Sequence, residues 1–475
     1  MMQARKLMLA IAMASLAGCM IGPDYQRPEV KVPESYRAHL TSSSAQVDGP
    51  WWGQFGSPTL SALVSEGLHS NLNLQRATER IEQYRGQLQS VRAGLFPQLG
   101  VGLGAQRALS DQFVGTPLAA FDGVSNQYQA GLSASWEIDL WGRLRRQSEA
   151  ATAQLLGAQY AQRGVALSLA ASISEGYINL LALDEQLAVA EQTLQARKQA
   201  LDIFQKRYDR GVIRQMELNQ AQNDYWSTAA AIPPLRSRIA AAENSLSVLL
   251  GRAPGPIVRP ERLSQLKLPV VPGVLPATLL SRRPDVLQAE QDVVASNAMV
   301  GAAEALYLPS LNLSGMIGFS RGETGQLFEN ASKVWKLATG INQTLFDGGS
   351  ISGQVVQAKS QYRQAVLAYQ SAVQSALVDV NNALVDTRET AAQLAAVERQ
   401  TTALRSYAGQ ARRLYEGGYT TYLDVTTAEE KLFDGELQAV SGRLAVLNAF
   451  NSLYLAVGGE VASDDALLFR PLTKR

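Results

Sequence analysis

Side chains able to do covalent chemistry are scarce in this 475-residue chain: cysteine occurs once, as Cys19, and histidine twice, as His39 and His69. A single thiol excludes an internal disulfide framework and any Cys-rich zinc site. Two histidines leave little room for imidazole acid–base catalysis or a His-cluster metal site. What Cys19 can do is carry lipid. Arg5 and Lys6 precede an apolar run over residues 7–17, about the length of a signal-peptide core and short of the roughly 20 residues a spanning helix needs. The run closes on Leu16-Ala17-Gly18-Cys19, the pattern of a lipoprotein cleavage box. Acyl chains on Cys19 at about 0.8 kcal/mol per buried methylene would anchor the chain firmly. The competing reading is a plain secretory signal with Cys19 beside it by chance.

Other candidate groups are carboxylates and guanidiniums. Glu217 and Asp424 each follow a Tyr-x-x-Gly turn at the same spacing, where a first-turn carboxylate favours the positive end of a helix dipole. Gly100-x-Gly102-x-Gly104 resembles a fragment of a nucleotide loop, but it lies in an alternating run with no helix following at once. Arg143, Arg145 and Arg146 are expected at a solvated helix start near a membrane interface, and Arg282 and Arg283 in a salt bridge near another. None of these makes an enzyme site, so no catalytic residue, no metal and no cofactor other than the lipid on Cys19 is expected.

Charge narrows the partners. Lys and Arg number 43 against 42 Asp and Glu, and charged residues make up 18% of the chain, below the roughly 25% of ordinary soluble proteins. Without a basic excess there is no electrostatic case for nucleic acid. No further segment holds 18 consecutive apolar residues. A membrane crossing, if there is one, must therefore be a β-barrel.

These groups sit on a chain written twice. Leu95-Phe96-Pro97-Gln98-Leu99 is echoed by Tyr307-Leu308-Pro309-Ser310-Leu311, and Tyr208-Asp209-Arg210-Gly211 by Tyr415-Glu416-Gly417-Gly418. Glu217 aligns with Asp424, Ala221 with Ala428 and Gly251 with Gly458, all at one offset. Each half reads helix, two strands, very long helix, turn, helix. The first half gives a helix over 71–94, strands over 98–107 and 126–137, and helices over 143–209 and 215–250. The second gives a helix over 285–306, strands over 310–320 and 333–345, and helices over 350–416 and 421–457. Pro233-Pro234 should kink or break the helix that contains it. The expected domains are a signal peptide (1–18), a lipid-anchored extended segment (19–58), a first repeat (59–251), a linker (252–276), a second repeat (277–458) and a tail (459–475).

The strands alternate apolar with small or polar residues. Leu99, Val101, Leu103 and Ala105 interleave with Gln98, Gly100, Gly102 and Gly104, and Tyr128 to Trp136 with Gln127 to Ser135. Period two with one wet face suits a membrane barrel, and each run is near the 9–11 residues a tilted strand needs. A half-buried soluble sheet alternates in the same way; the anchor and two polar hairpin loops favour the barrel. Four strands cannot close a barrel, since single-chain membrane barrels begin at about eight, and open edges in hydrocarbon cost several kcal/mol per unpaired group. Copies must be shared: a homotrimer gives twelve strands.

The long helices, about 67 residues each, reach roughly 100 Å at 1.5 Å per residue. Along 350–416, Ile351, Val355, Ala358, Tyr362, Ala365, Tyr369, Ala372 and Ala376 keep a 4-3 rhythm. It shifts phase to Leu377, Val380, Leu384, Thr387, Ala391 and Leu394, a coiled-coil pattern. Away from it lie Gln354, Gln357, Gln361, Gln364, Gln370, Gln374, Asn381 and Asn382, an uncharged polar face.

Gly22-Pro23-Asp24-Tyr25-Gln26-Arg27-Pro28, Trp51-Trp52 with Phe55, Phe96-Pro97, Trp136 through Arg143, Arg282-Arg283-Pro284-Asp285 and the paired Tyr-x-x-Gly turns together cover nearly all of the chain beyond Cys19. On these residues the sequence resembles the TolC-like outer-membrane-factor family, in its lipoprotein efflux branch. The resemblance implies a mixed α/β membrane protein: a trimeric 12-stranded outer-membrane barrel plus a 12-helix periplasmic tunnel of coiled-coil helices. It implies a passive duct for drugs or other small toxic compounds, lipid-anchored in a Gram-negative outer membrane. A periplasmic adaptor protein and an inner-membrane transporter are the implied partners. By the same resemblance Gly211, Val212, Gly418 and Tyr419 form the adaptor-contact tips, and Glu217 and Asp424 the periplasmic gate. A narrow ring of carboxylates would favour cations. Thr427 and Thr420 depart from relatives that carry charges there. Glu217 and Asp424 can equally serve their helix termini alone. A protein-secretion duct and a lipid-anchored coiled-coil scaffold remain the alternative functions.

Overall fold

The computed structural model describes residues 20–33, 35–36, 50–109, 124–269 and 279–459. The signal peptide, Cys19, His39, most of the first hairpin loop, the end of the linker and the tail lie outside them. The elements run α1 (Pro58–Ser70), α2 (Leu72–Ala93), β1 (Gln98–Leu109), β2 (Val124–Ile138), α3 (Arg143–Asp209), α4 (Gln215–Leu249), α5 (Pro284–Glu304), β3 (Ser310–Arg321), β4 (Lys333–Asn342), α6 (Ser350–Glu416) and α7 (Tyr422–Ala456). Two compact units divide them, each drawing on both halves of the sequence. One takes the chain up to Glu29, Arg80–Gln159 and Gln288–Gln370; the other takes Val30–Glu79, Tyr160–Leu287 and the chain from Ser371 on.

In the first unit the four strands form one antiparallel sheet in the order β1-β2-β3-β4. Pairing of β2 with β3, from Tyr128↔Arg321 to Ile138↔Leu311, joins the two halves of the chain. Equivalent aspartates start both long helices. Asp139 accepts from the backbone N–H of Leu144 (3.2 Å) and Arg145 (3.0 Å), and Asp347 from those of Gly349 (2.9 Å) and Ile351 (2.6 Å). These bonds satisfy donors that a helix N-terminus leaves open and favour its dipole. Those to Ile351 and Gly349 hold the Asp347 carboxyl below its ordinary range.

The second unit is built around the apolar core. Trp51, Trp52 and Phe55 are buried with Leu60, Ile173 and Leu246, and Trp51 stacks on Tyr454 at 5.5 Å between centroids. α3 holds one 18-residue window apolar enough to span a membrane, but 67% of that window is buried inside the protein. It is core. On α6 the predicted stripe is buried at Val355, Ala358, Tyr369, Ala376, Val380, Leu384, Thr387 and Leu394. Ala391 is exposed, as are Gln354, Gln357, Gln361 and Gln364 on the polar face.

Three local expectations change. Helix α1 was not foreseen, although Ser57 caps it by accepting from the Leu60 N–H (3.0 Å) ahead of Pro58. Strand β4 stops at Asn342 rather than 345, because Gln343 turns away and donates to the Tyr307 carbonyl (2.8 Å). No break occurs at Pro233-Pro234, where α4 is helical throughout. Both prolines are exposed while Ile232 and Leu235 beside them are buried, so core packing holds the turn that has lost two N–H donors.

Candidate functional site: the exposed sheet, its strap and the helix tips

Register assigns every strand residue to a face. Leu103, Ala130, Phe319 and Lys333 share a row, as do Val101, Leu132, Ile317 and Trp335. The opposite face carries Gly100, Ser133, Met316 and Lys336 in one row and Gly102, Gly131, Gly318 and Val334 in another. The apolar face is bare: Leu99 is 83% exposed, Trp335 79% and Ile341 73%. Among the described residues, strands β1 and β4 each lack a partner on their outer side. Such a sheet is unstable in water, where a bare apolar face and open edges invite association. In lipid it is stable only when the edges are paired. The glycines set strand spacing where Gly131 and Gly318 oppose: a Cβ on Gly318 would stand 2.6 Å from the Gly131 Cα, and one on Gly131 2.9 Å from the Ile317 carbonyl.

The Gly22–Pro28 motif straps onto the same unit. Ile21 donates to the Trp141 carbonyl (3.1 Å), and Asn297 donates to that of Pro23 (2.9 Å). Arg146, 2% exposed, donates to the carbonyls of Ile21 (3.2 Å) and Gly22 (3.3 Å) and pairs with Asp24 and Glu149, both at 2.9 Å. Tyr25 (3.0 Å) and Arg27 (2.6 Å) both bind Glu290. The expectation of a solvated arginine cluster is therefore corrected. Arg143 is held by Glu137 (2.7 Å), Arg145 by Asp139 (3.3 Å), and Arg146 is a buried clamp. Arg283 does form the expected bridge, to Asp285 (2.7 Å) and Asp379 (2.9 Å). Burial alone would raise the Asp285 carboxyl, and the Arg283 pair more than offsets that.

In the second unit the two turns match. Val212 donates back to the Arg207 carbonyl (2.9 Å) and Tyr419 to that of Leu414 (2.9 Å), with Gly211 at φ 69° and Gly418 at φ 77°. These are left-handed helix ends that glycine adopts at least cost. Val212 and Tyr419 are exposed beyond them. Glu217 accepts from the Arg214 N–H (3.3 Å). Asp424 accepts from the Thr421 N–H (3.2 Å), the Thr421 hydroxyl (2.8 Å) and the Thr420 hydroxyl. The hydroxyl of Thr420, then that of Thr421, holds the Asp424 carboxyl below its usual range. Both carboxylates cap their helices, Asp424 exposed and Glu217 half-buried.

Sequence reasoning missed what ties the turns together. Phe204 packs on Tyr422 at 4.2 Å, Tyr415 lies 5.5 Å from Tyr422, and Arg412 pairs with Glu429 at 2.5 Å. The signal was Phe204, seven residues before Gly211, and tyrosines on both flanks of Gly418.

A family model described as "Outer membrane efflux protein" matches residues 63–252 and 275–459. The chain is 30% identical over 463 residues to the cation efflux system protein CusC of Escherichia coli K12, covering 96% of this chain and 99% of that protein. It is 30% identical over 462 residues to the toluene efflux pump outer membrane protein TtgC of Pseudomonas putida, covering 95% of each. Its fold is similar to the open state of the MtrE outer membrane channel of Neisseria gonorrhoeae, with TM-score 0.84, 29% identity, and 93% of this chain and 98% of that one covered.

Proposed function

The chain belongs to the outer membrane efflux protein family, and from that premise we propose that it is the outer-membrane duct of a tripartite efflux pump. One observation carries the reading: an open four-stranded sheet with a bare apolar face and two unpaired edges. Three copies close a twelve-stranded barrel, and the long helices, with their uncharged polar faces, line a periplasmic tunnel. Small toxic compounds or cations are the cargo, as in the names of the relatives. A periplasmic adaptor meets the exposed tips at Gly211, Val212, Gly418 and Tyr419, and an inner-membrane transporter drives export. Lipid on Cys19 holds the segment that the Arg146 clamp straps down. Glu217 and Asp424 line the periplasmic entrance while capping their helices. Relatives named for efflux favour this reading over a secretion duct, and the bare sheet disfavours a coiled-coil scaffold.

Planar-bilayer recording of the purified protein tests it. Small wild-type currents are expected, with larger and less cation-selective ones after Glu217→Ala together with Asp424→Ala. A protein that never conducts, even with both carboxylates removed, is not a duct. Currents unchanged by the double substitution take those two residues out of the gate.

A further inference from the structure

The glycine- and serine-bearing face of the sheet carries two charged side chains among the described residues, Glu137 and Lys336. Glu137 is neutralised: both of its oxygens accept from Arg143 Nη2 at 2.7 Å. Lys336 is exposed and has no ion pair or hydrogen bond among the described residues. Its cross-strand neighbour is Met316, followed in the same row by Ser133 and Gly100. Trp335 and Leu337 on either side of it belong to the apolar face, at 79% and 69% exposure. If that face meets lipid, Lys336 meets water in the lumen. The alternative would place an ammonium in hydrocarbon at about 2–4 kcal/mol near the midplane.

Lys336 stands on the unpaired edge strand, so the next copy's β1 lies beside it when the barrel closes. The inner face of β1 offers Gln98, Gly100, Gly102, Gly104 and Gln106. Among its described residues β1 carries no carboxylate, so in any register it brings none to this lysine. We propose that three copies of Lys336 form a ring of unneutralised ammonium groups inside the barrel, a selectivity site that attracts carboxylate, sulfonate or phosphate groups of passing solutes. The inference rests on the channel reading and deepens it. The ring adds a site of positive charge to a duct whose helix tips carry carboxylates, and its effect is on the anion permeability of the barrel.

Reversal potentials in a KCl gradient test the ring, in the wild-type protein and in the Glu217→Ala, Asp424→Ala background, where the tip carboxylates do not dominate. With salt near 0.01 M the Debye length is about 30 Å, and Lys336→Gln should lower the chloride-to-potassium permeability ratio about fourfold. Lys336→Glu should lower it further, and Lys336→Arg should restore it. Near 1 M, where screening reaches about 3 Å, the shift should shrink below about twofold. Orientation has its own readout: Lys336→Cys should react with a water-soluble thiol reagent in vesicles and Trp335→Cys should not. Conducting channels whose reversal potentials are the same for Lys, Gln and Glu, or a cysteine at 336 shielded from the reagent, overturn the ring while leaving the duct. A protein that never conducts, even with Glu217 and Asp424 both replaced by Ala, removes both.

Discussion

Arg146 sets the position of the segment that follows Cys19. Its guanidinium is buried and engaged through all three nitrogens, by two carbonyls of the strap and two carboxylates. Truncating one partner of a buried pair commonly costs about 3–5 kcal/mol, because the groups left behind lose their donors. Here Asp24 is open to water and recovers solvent, so the lower end, about 3 kcal/mol, is expected for Arg146→Ala. The cost falls on the strap rather than on the core. Limited proteolysis should cut residues 20–33 of Arg146→Ala with the rest of the chain intact, and equal protection of the two proteins would refute the clamp. Sequence showed that Arg143, Arg145 and Arg146 start a helix and that Gly22–Pro28 matters. It could not show that the third arginine reaches back 122 positions to Asp24, because residue type is silent about which polar group a fold encloses. Glu217 and Asp424 were legible for the opposite reason: capping is local, and turn, spacer and carboxylate lie within a few residues.

At the scale of elements, period and punctuation were enough where structure is local. The long helices, the two glycine turns and the alternating strands all follow from patterns a few residues wide. The failures lie where distant packing overrules a local rule. Pro233-Pro234 should kink or break α4, and no break occurs, since buried Ile232 and Leu235 hold the turn. Nor does alternation reveal which glycines are required. Gly102, Gly131 and Gly318 share one row of the sheet, but a Cβ has open space at Gly102 and meets backbone at the other two. Val at 318 therefore overpacks the junction of the two halves, at a cost of about 3 kcal/mol or more. Gly318→Val should lose the heat-resistant assembled form on semi-denaturing gels while Gly102→Val keeps it. Equal behaviour of the two variants would show that strand spacing at this row is not set by glycine.

For the whole molecule, the decisive quantity is how many copies share one barrel. The sheet supplies four strands and two open edges, and each edge must find the opposite edge of another copy, a head-to-tail contact that closes as a ring. Two copies would give eight strands, whose interior is just wide enough for side chains to fill. The inner face fills it poorly, because Gly100, Gly102, Gly104, Gly131, Gly318, Gly340 and the serines among them leave space around its larger side chains such as Met316 and Lys336. Three copies give twelve strands, where small polar residues line water and need fill nothing. Four would give sixteen, but the same small angle per strand would then have to hold between long helices whose stripe of alanine and valine packs at close range. Native mass spectrometry from mild detergent should accordingly return three chains, each heavier than its processed polypeptide by the lipid on Cys19. Cys19→Ser should remove the lipid mass and leave the count at three. A stable dimer, or a folded single chain with its sheet intact, would mean that the edges are satisfied in some other way, and the duct would lose its wall.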